Sequence, residues 1–354
     1  MNSQEILVLR LSAVGDVIRT LPAVKALKEH APSSSITWIV EEPSQAFLES
    51  QPEVDRVILF PRKRWTKGMK SLGTIWETIG EMREFITGLR KRKFDVVLDF
   101  HGILKSGLLS FLSGARHRIG YDRSSTKEGN SLFSNVKVRL PKEKISRFKR
   151  NFALLRGMGL EVRDFKYSLH IPPPDREYVA SFFKSSGTAL KRPLIAIHPG
   201  TSAKALFKRW PADQYARLGD RLVRELSATV LFTWGADEFE WVEGIRKEME
   251  EPSLLGPKTE TLTQLGEVYR QCDLYIGGDT GPMHIASLIG IPVVVIYGPT
   301  DPTENEPFGG HIKIRKQVGC NPCHNYSCKE LLCIKAVSAD EVFKGTREIL
   351  GLTH

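Results

Sequence analysis

The chain has 354 residues, more than one hydrophobic core comfortably serves, so two domains are expected. No apolar run approaches the roughly 18 residues of a membrane-spanning helix, which excludes a helical integral membrane protein. The net charge of +10 points to an anionic partner: nucleic acid, an acidic membrane face or an acidic substrate.

The excess charge is clustered in the first half, at Arg62, Lys63, Arg64, Lys67 and Lys70, at Arg90 to Lys93, and at Lys142, Lys144, Arg147, Lys149 and Arg150. Any one cluster also reads as solvated surface. The start, Met1-Asn2-Ser3-Gln4-Glu5, is not basic and runs straight into a strand. No signal peptide is expected there, and the expected location is the cytoplasm.

In chain order, strands are expected at Glu5 to Arg10, Ser35 to Val40, Arg56 to Phe60 and Val96 to Phe100. Helices are expected at Val17 to Glu29, Leu72 to Arg92, Ser106 to Leu112 and Lys144 to Gly159. Strand–helix alternation implies an α/β fold, a parallel sheet with helices on both faces. The turn after the first strand, Leu11 to Asp16, is neither Gly-x-Gly-x-x-Gly nor a P-loop, which disfavours a dehydrogenase-type dinucleotide site. Asp16, at a strand end and beside a helix start, reads either as a general base or as a helix cap.

The run Ile171-Pro172-Pro173-Pro174-Asp175 is expected to be a stiff, extended, non-helical linker. It divides an N-terminal domain, residues 1–172, from a C-terminal domain, 173–354. The second half alternates again, with strands at Pro193 to His198, Thr229 to Thr233, Leu274 to Gly277 and Val293 to Tyr297. Its helices are expected at Pro211 to Leu226, Asp237 to Glu250, Leu262 to Gln271 and Gly281 to Ile289. Two Rossmann-like halves would face each other across a cleft, with ligands outside the carboxyl ends of the strands.

The most informative segment is Gly277-Gly278-Asp279-Thr280-Gly281-Pro282-Met283-His284. It lies between a buried strand and a helix, and it puts backbone N–H groups where a pyrophosphate is favoured by the helix dipole. His284 reads as a site residue or as an ordinary helix histidine. Three other strand-end loops belong with it. Thr201 and Ser202, followed by Lys208, suit phosphate oxygens and their charge, or form a plain polar loop. Glu238 or Glu240 suits a ribose hydroxyl, or serves as a first-turn acid. Thr300 and Asp301 close the same edge. Together these loops describe a nucleoside-diphosphate site opposed by an acid on the other domain, as a glycosyl transferase requires.

Cys320, Cys323, Cys328 and Cys333 form a cluster whose spacing is not that of a zinc finger or ribbon. Structural thiols, a labile disulfide and a bound metal all fit it.

Three motifs, Ser12 to Ala23, Gly278 to His284 and Tyr297-Gly298-Pro299-Thr300-Asp301-Pro302, make the chain resemble glycosyltransferase family 9, the lipopolysaccharide heptosyltransferases, over nearly its full length. The stretches Trp38 to Glu42, Lys63-Arg64-Trp65 and Asp95 to Ser106 are closer to the family's type I enzymes, and the cysteine cluster to type II. The resemblance implies a GT-B fold and inverting, metal-independent transfer of heptose from ADP-heptose, with no cofactor, to the 3-deoxy-octulosonate (Kdo) region of lipid A. It makes Asp16 the base and Lys208 the stabiliser of the leaving diphosphate. Thr201, Ser202, Glu238, Asp279, Thr280, Gly281 and His284 would line the donor site, and Lys63, Arg64, Lys67, His101 and Lys127 the acceptor site. It further implies salt-sensitive, peripheral attachment to the cytoplasmic face of an anionic inner membrane, and no nucleic-acid partner.

Overall fold

The computed structural model describes residues 3–185, 190–323, 325 and 327–352. Met1 and Asn2, part of the N-terminal segment read above, lie outside them. The chain forms two compact units, residues 1–166 and 167–354.

The first unit runs β1 (Glu5–Leu9), α1 (Val14–His30), β2 (Ser35–Val40), α2 (Gln45–Glu49), β3 (Arg56–Leu59), α3 (Arg62–Gly68) and α4 (Ile75–Lys91). It continues with β4 (Val96–Asp99), α5 (Leu104–Leu112), β5 (His117–Tyr121), β6 (Val136–Val138) and α6 (Arg147–Leu154). The described strands form one parallel sheet in the order β3-β2-β1-β4-β5-β6. β1 lies at its centre and buries Ile6 to Leu9 completely. Such unbroken apolar runs belong to strands covered on both faces. Leu7, Leu9, Ile39 and Val97 pack on Phe60, Trp65 and Leu89 beneath α3 and α4.

The second unit runs α7 (Pro173–Ser185), β7 (Leu194–His198), α8 (Ala212–Leu226), β8 (Thr229–Phe232), α9 (Phe239–Glu248), β9 (Leu254–Leu255), α10 (Leu262–Arg270) and β10 (Leu274–Gly278). It ends with α11 (Gly281–Ile289), β11 (Val293–Tyr297), β12 (His311–Arg315), α12 (Leu332–Lys335) and α13 (Ala339–Ile349). Its sheet is also parallel, in the order β12-β11-β10-β7-β8-β9. Counted from β7 as its first strand, this is the order of the first sheet read from the other edge. Ile195, Ile197, Phe232, Ile276 and Ile296 meet Trp210, Val342 and Phe343 in its core. α13 is fixed by a capping box, Ser338 Oγ accepting from the Glu341 N–H and Glu341 Oε2 from the Ser338 N–H. α11 ends at Gly290, whose φ of +95° suits glycine.

Two expectations are corrected. The triple proline is not an extended linker: Pro173 and Pro174 open α7, where a missing N–H costs nothing, and the boundary between the units lies upstream of it. The helix expected from Lys144 is shorter, α6 followed by a 3-10 turn at Leu155–Met158. Among the described residues, no helix is long and apolar enough to cross a membrane.

Candidate active site

In both sheets the segments that carry Asp16, His101, Lys208 and Asp279 follow the two central strands, β1 with β4 and β7 with β10. These neighbours are the point where the strand order reverses, the place at which open α/β sheets leave a crevice for ligands.

In the first unit, α1 starts at Val14 with Ala13 at its N-cap position. Asp16 therefore sits inside the first turn and is not the cap. Its side chain is mostly buried. Arg10 and Arg19 both pair with it, Arg19 at 2.5 Å, and Arg147 of α6 approaches to 3.8 Å. Burial pushes the Asp16 carboxyl up, but the three guanidinium groups outweigh it and hold the carboxyl well below the usual carboxylate range. Asn151 clamps α6 to α1 by donating to the Arg19 carbonyl at 2.9 Å and to Thr20 Oγ1 at 3.1 Å.

The loop after β4 carries His101. Its Nδ1 accepts the Leu11 N–H at 3.2 Å, so the neutral ring carries its proton on Nε2. Burial, then Arg10, pushes its pKa down to about 4, against the pull of Asp16. Asp99 anchors the loop from beneath. Its fully buried carboxyl accepts from Asn130 at 2.7 Å, Ser106 at 2.9 Å and the N–H groups of His101 and Gly102 at 3.0 and 3.1 Å.

One prediction arises here. An NMR titration of His101 should give a midpoint near 4, well below the ordinary histidine value of about 6.5. The unfolded chain takes up this proton first as pH falls, so the histidine's contribution to stability is lost between those two values. A midpoint at the ordinary value would contradict the burial of the ring beside Arg10.

The basic residues assigned to the acceptor are dispersed. Lys63, Arg64 and Lys67 lie on α3, with Lys63 and Lys67 exposed and Arg64 paired with Glu81. Lys127 is exposed in the loop before β6, and its N–H donates to the Gly102 carbonyl at 3.0 Å.

In the second unit, Lys208 Nζ donates to the Asp279 carbonyl at 3.2 Å and lies 3.3 Å from Asp279 Oδ2. Asp279 is buried, and His284 Nε2 stands 4.0 Å from its other oxygen. Thr280 is the N-cap residue of α11 and Gly281 its first residue. Lys208, Asp279, Thr280, Gly281 and His284 are thus gathered at one helix N-terminus. A Cβ on Gly281 would meet open space.

Of the other residues expected at the donor side, Thr201 and Glu238 are already engaged. Buried Thr201 accepts from Arg209 Nε at 3.2 Å through Oγ1, whereas Ser202 is exposed. Glu238 Oε2 accepts the Gly235 N–H at 2.8 Å and faces His198 Nε2 at 3.4 Å. His198 Nδ1 lies 3.0 Å from Thr233 Oγ1, which lies 3.1 Å from the Tyr269 hydroxyl. Burial lowers the His198 pKa despite Glu238. Buried Thr300 and Asp301 follow β11, and Asp301 Oδ1 accepts the Thr303 N–H at 2.8 Å.

Gly277 sets the spacing of this edge. A Cβ there would lie 2.5 Å from the Tyr275 hydroxyl and 2.8 Å from the His198 carbonyl oxygen. Gly277→Ala is expected to destabilise the unit by about 1–3 kcal/mol, read from the midpoint of chemical unfolding.

Sequence reasoning missed Arg10, Arg19, Arg147 and Arg209. The Asp16–Arg19 spacing of three residues on a helix was an available signal; the approach of Arg147 had none. The four clustered cysteines are free, two exposed and Cys333 buried. Burial, with Cys320 and Cys323 nearby, pushes the Cys333 thiol up. Among the described residues, no group of three or more His, Cys, Asp or Glu side chains is arranged to hold a metal ion.

The pattern of glycosyltransferase family 9 (heptosyltransferase) covers residues 82–334. The chain is 27% identical over 330 residues to lipopolysaccharide heptosyltransferase 1 of Pseudomonas aeruginosa, spanning 91% of this chain and 87% of that protein. It is 26% identical over 325 residues to lipopolysaccharide heptosyltransferase 2 of Escherichia coli K12, spanning 89% and 88%. The solved structure of E. coli heptosyltransferase WaaC with ADP has a TM-score of 0.72 at 22% identity, over 98% of this chain and 99% of that one, so the fold is GT-B. With that pattern spanning most of its length, the chain belongs to glycosyltransferase family 9, the heptosyltransferases, and is a glycosyltransferase.

Proposed function

We propose that the enzyme transfers heptose from ADP-heptose to the Kdo region of lipid A in lipopolysaccharide inner-core synthesis, with inversion and without a metal. The observation that carries this reading is the gathering of Lys208, Asp279 and His284 at the N-terminus of α11. Helix N-terminal N–H groups and a lysine charge together suit a diphosphate. Thr201, Ser202 and Glu238 complete the donor set, and an anionic acceptor suits Lys63, Arg64, Lys67, His101 and Lys127.

In this reading the acceptor hydroxyl oxygen attacks the anomeric carbon as the bond to the ADP β-phosphate breaks. The transition state carries oxocarbenium character. Asp16 takes the hydroxyl proton. Lys208 and the N–H groups of Thr280 and Gly281 meet the charge that builds on ADP. Three guanidinium groups make Asp16 a weak base in the free enzyme. A carboxylate or phosphate on the acceptor would draw these arginines toward itself and raise the proton affinity of Asp16 when substrate is bound. The enzyme acts at the cytoplasmic face of the inner membrane, held by its basic surface, and takes no nucleic acid.

Purified protein given ADP-heptose should release ADP with Kdo-bearing lipid A and not with the same lipid already carrying one heptose, nor without acceptor. Release only with the heptosylated lipid would instead establish the type II reaction, the reading favoured by the cysteine cluster. Release with neither would sink both.

A further inference from the structure

A cavity of about 550 Å³ lies wholly within the first unit, walled by α3, α4 and α5. That volume is typical of small-molecule sites, yet its walls are those of an apolar slot: Phe60, Trp65, Met69, Met82, Leu108 and Leu112. Thr66 is the one neutral polar side chain lining it, and no carboxylate does. A polar metabolite would leave its own hydrogen-bonding groups unmet there.

The charges at the cavity have one sign. Arg62, Lys70 and Lys105 line it, and Arg62 is held at 2.8 Å by Glu41, which does not line it. Among the described residues Lys70 and Lys105 form no ion pair, and Lys105 lies 5.9 Å over the Phe60 ring. The surface around it is apolar where a water-facing surface would be polar. Leu104, Leu108 and Phe111 expose one face of α5, and Leu72, in the turn between α3 and α4, is 92% exposed. An apolar slot, a cationic lining and exposed apolar neighbours together complement an amphiphile with an anionic head.

We propose that this cavity binds one acyl chain of an anionic bilayer phospholipid, with Lys70 and Lys105 on its headgroup phosphate and Leu72, Leu104 and Phe111 resting in the interface. Its wall α3 also carries Lys63, Arg64 and Lys67 of the proposed acceptor set, but lipid binding is read without sugar donor or acceptor, so the two readings fail separately.

The test uses the full chain and lyso-phosphatidylglycerol below its micelle concentration, followed by titration calorimetry. One equivalent should bind, about fourfold more weakly for each methylene removed from the chain. Thr66→Trp, which fills the slot without changing charge, should weaken binding at least tenfold. Lys70→Glu should weaken it severalfold, and lyso-phosphatidylcholine should bind less well than the glycerol lipid. The same variants should sediment less with vesicles of phosphatidylglycerol and phosphatidylcholine. Unchanged thermal midpoints would show that both variants fold. Equal binding by the filled variant, no dependence on chain length, or no preference for the anionic head would each overturn the proposal. So would self-association of the chain through this face without lipid binding.

Discussion

Asp16→Asn should lower kcat by roughly a hundred- to ten-thousand-fold, the loss expected when a positioned general base is removed. The same substitution will also cost stability. Arg10 and Arg19 are mostly buried against this carboxylate, and neutralising it leaves two guanidinium groups without their counter-charge, at a cost of about 3 kcal/mol. The effects separate through a second change. Asp16→Asn with Arg10→Gln should recover part of the unfolding midpoint and none of the turnover. Recovery of turnover would mean that Asp16 acts only by holding the arginine. The sign of the pH dependence is also fixed. A carboxyl depressed in the folded state contributes stability that is present above its unfolded value of about 3.9, and that is lost as pH falls below it. The contribution is therefore intact near neutrality, and kcat/KM should show no limb from Asp16 there.

Lys208→Ala is expected to weaken ADP binding about ten- to a hundredfold, the worth of a charge-assisted contact to phosphate. It should lower kcat by a further factor of about a hundred, because charge on the leaving group is greatest in the transition state. Isothermal titration with ADP reads the first effect and single-turnover kinetics the second. Lys208 also faces the buried carboxylate of Asp279, so folding must be checked by thermal melting. Lys208→Arg keeps the charge but replaces a compact ammonium with a planar fork, and should restore binding better than turnover. ADP affinity unchanged in Lys208→Ala would remove the lysine from the diphosphate site.

The buried strands were legible because their sequences are unbroken apolar runs. β2 and β11 appear at their predicted limits, Ser35–Val40 and Val293–Tyr297. The strands that escaped are short: β9 has only two residues, and β5, β6 and β12 carry charges, His117 and Arg118, Lys137, and Lys313 and Arg315. Alternating charge on a half-exposed strand reads as loop when its neighbour is unknown. α3 was hidden for a related reason, because Arg62 to Lys67 reads as a basic patch before it reads as a helix. The α11 turn was legible because its residues are consecutive. The cage around Asp16 was only partly so. Arg10 and Arg19 lie within one strand and one helical turn of it, but Arg147 arrives through the packing of α6 on α1. The lipid-sized cavity was not legible at all, since its walls come from three separate helices.

The two sheets share one strand order although no repeat is visible in the sequence. Both place their reactive loops after the central pair of strands. The ladder hydrogen bonds of those strands run between backbones and do not depend on what the loops contain. Inheritance can therefore rewrite the loops after β1 and β4 without shifting a register, and leave those after β7 and β10 untouched. A change in the loops of one sheet therefore need not disturb the sheet of the other unit.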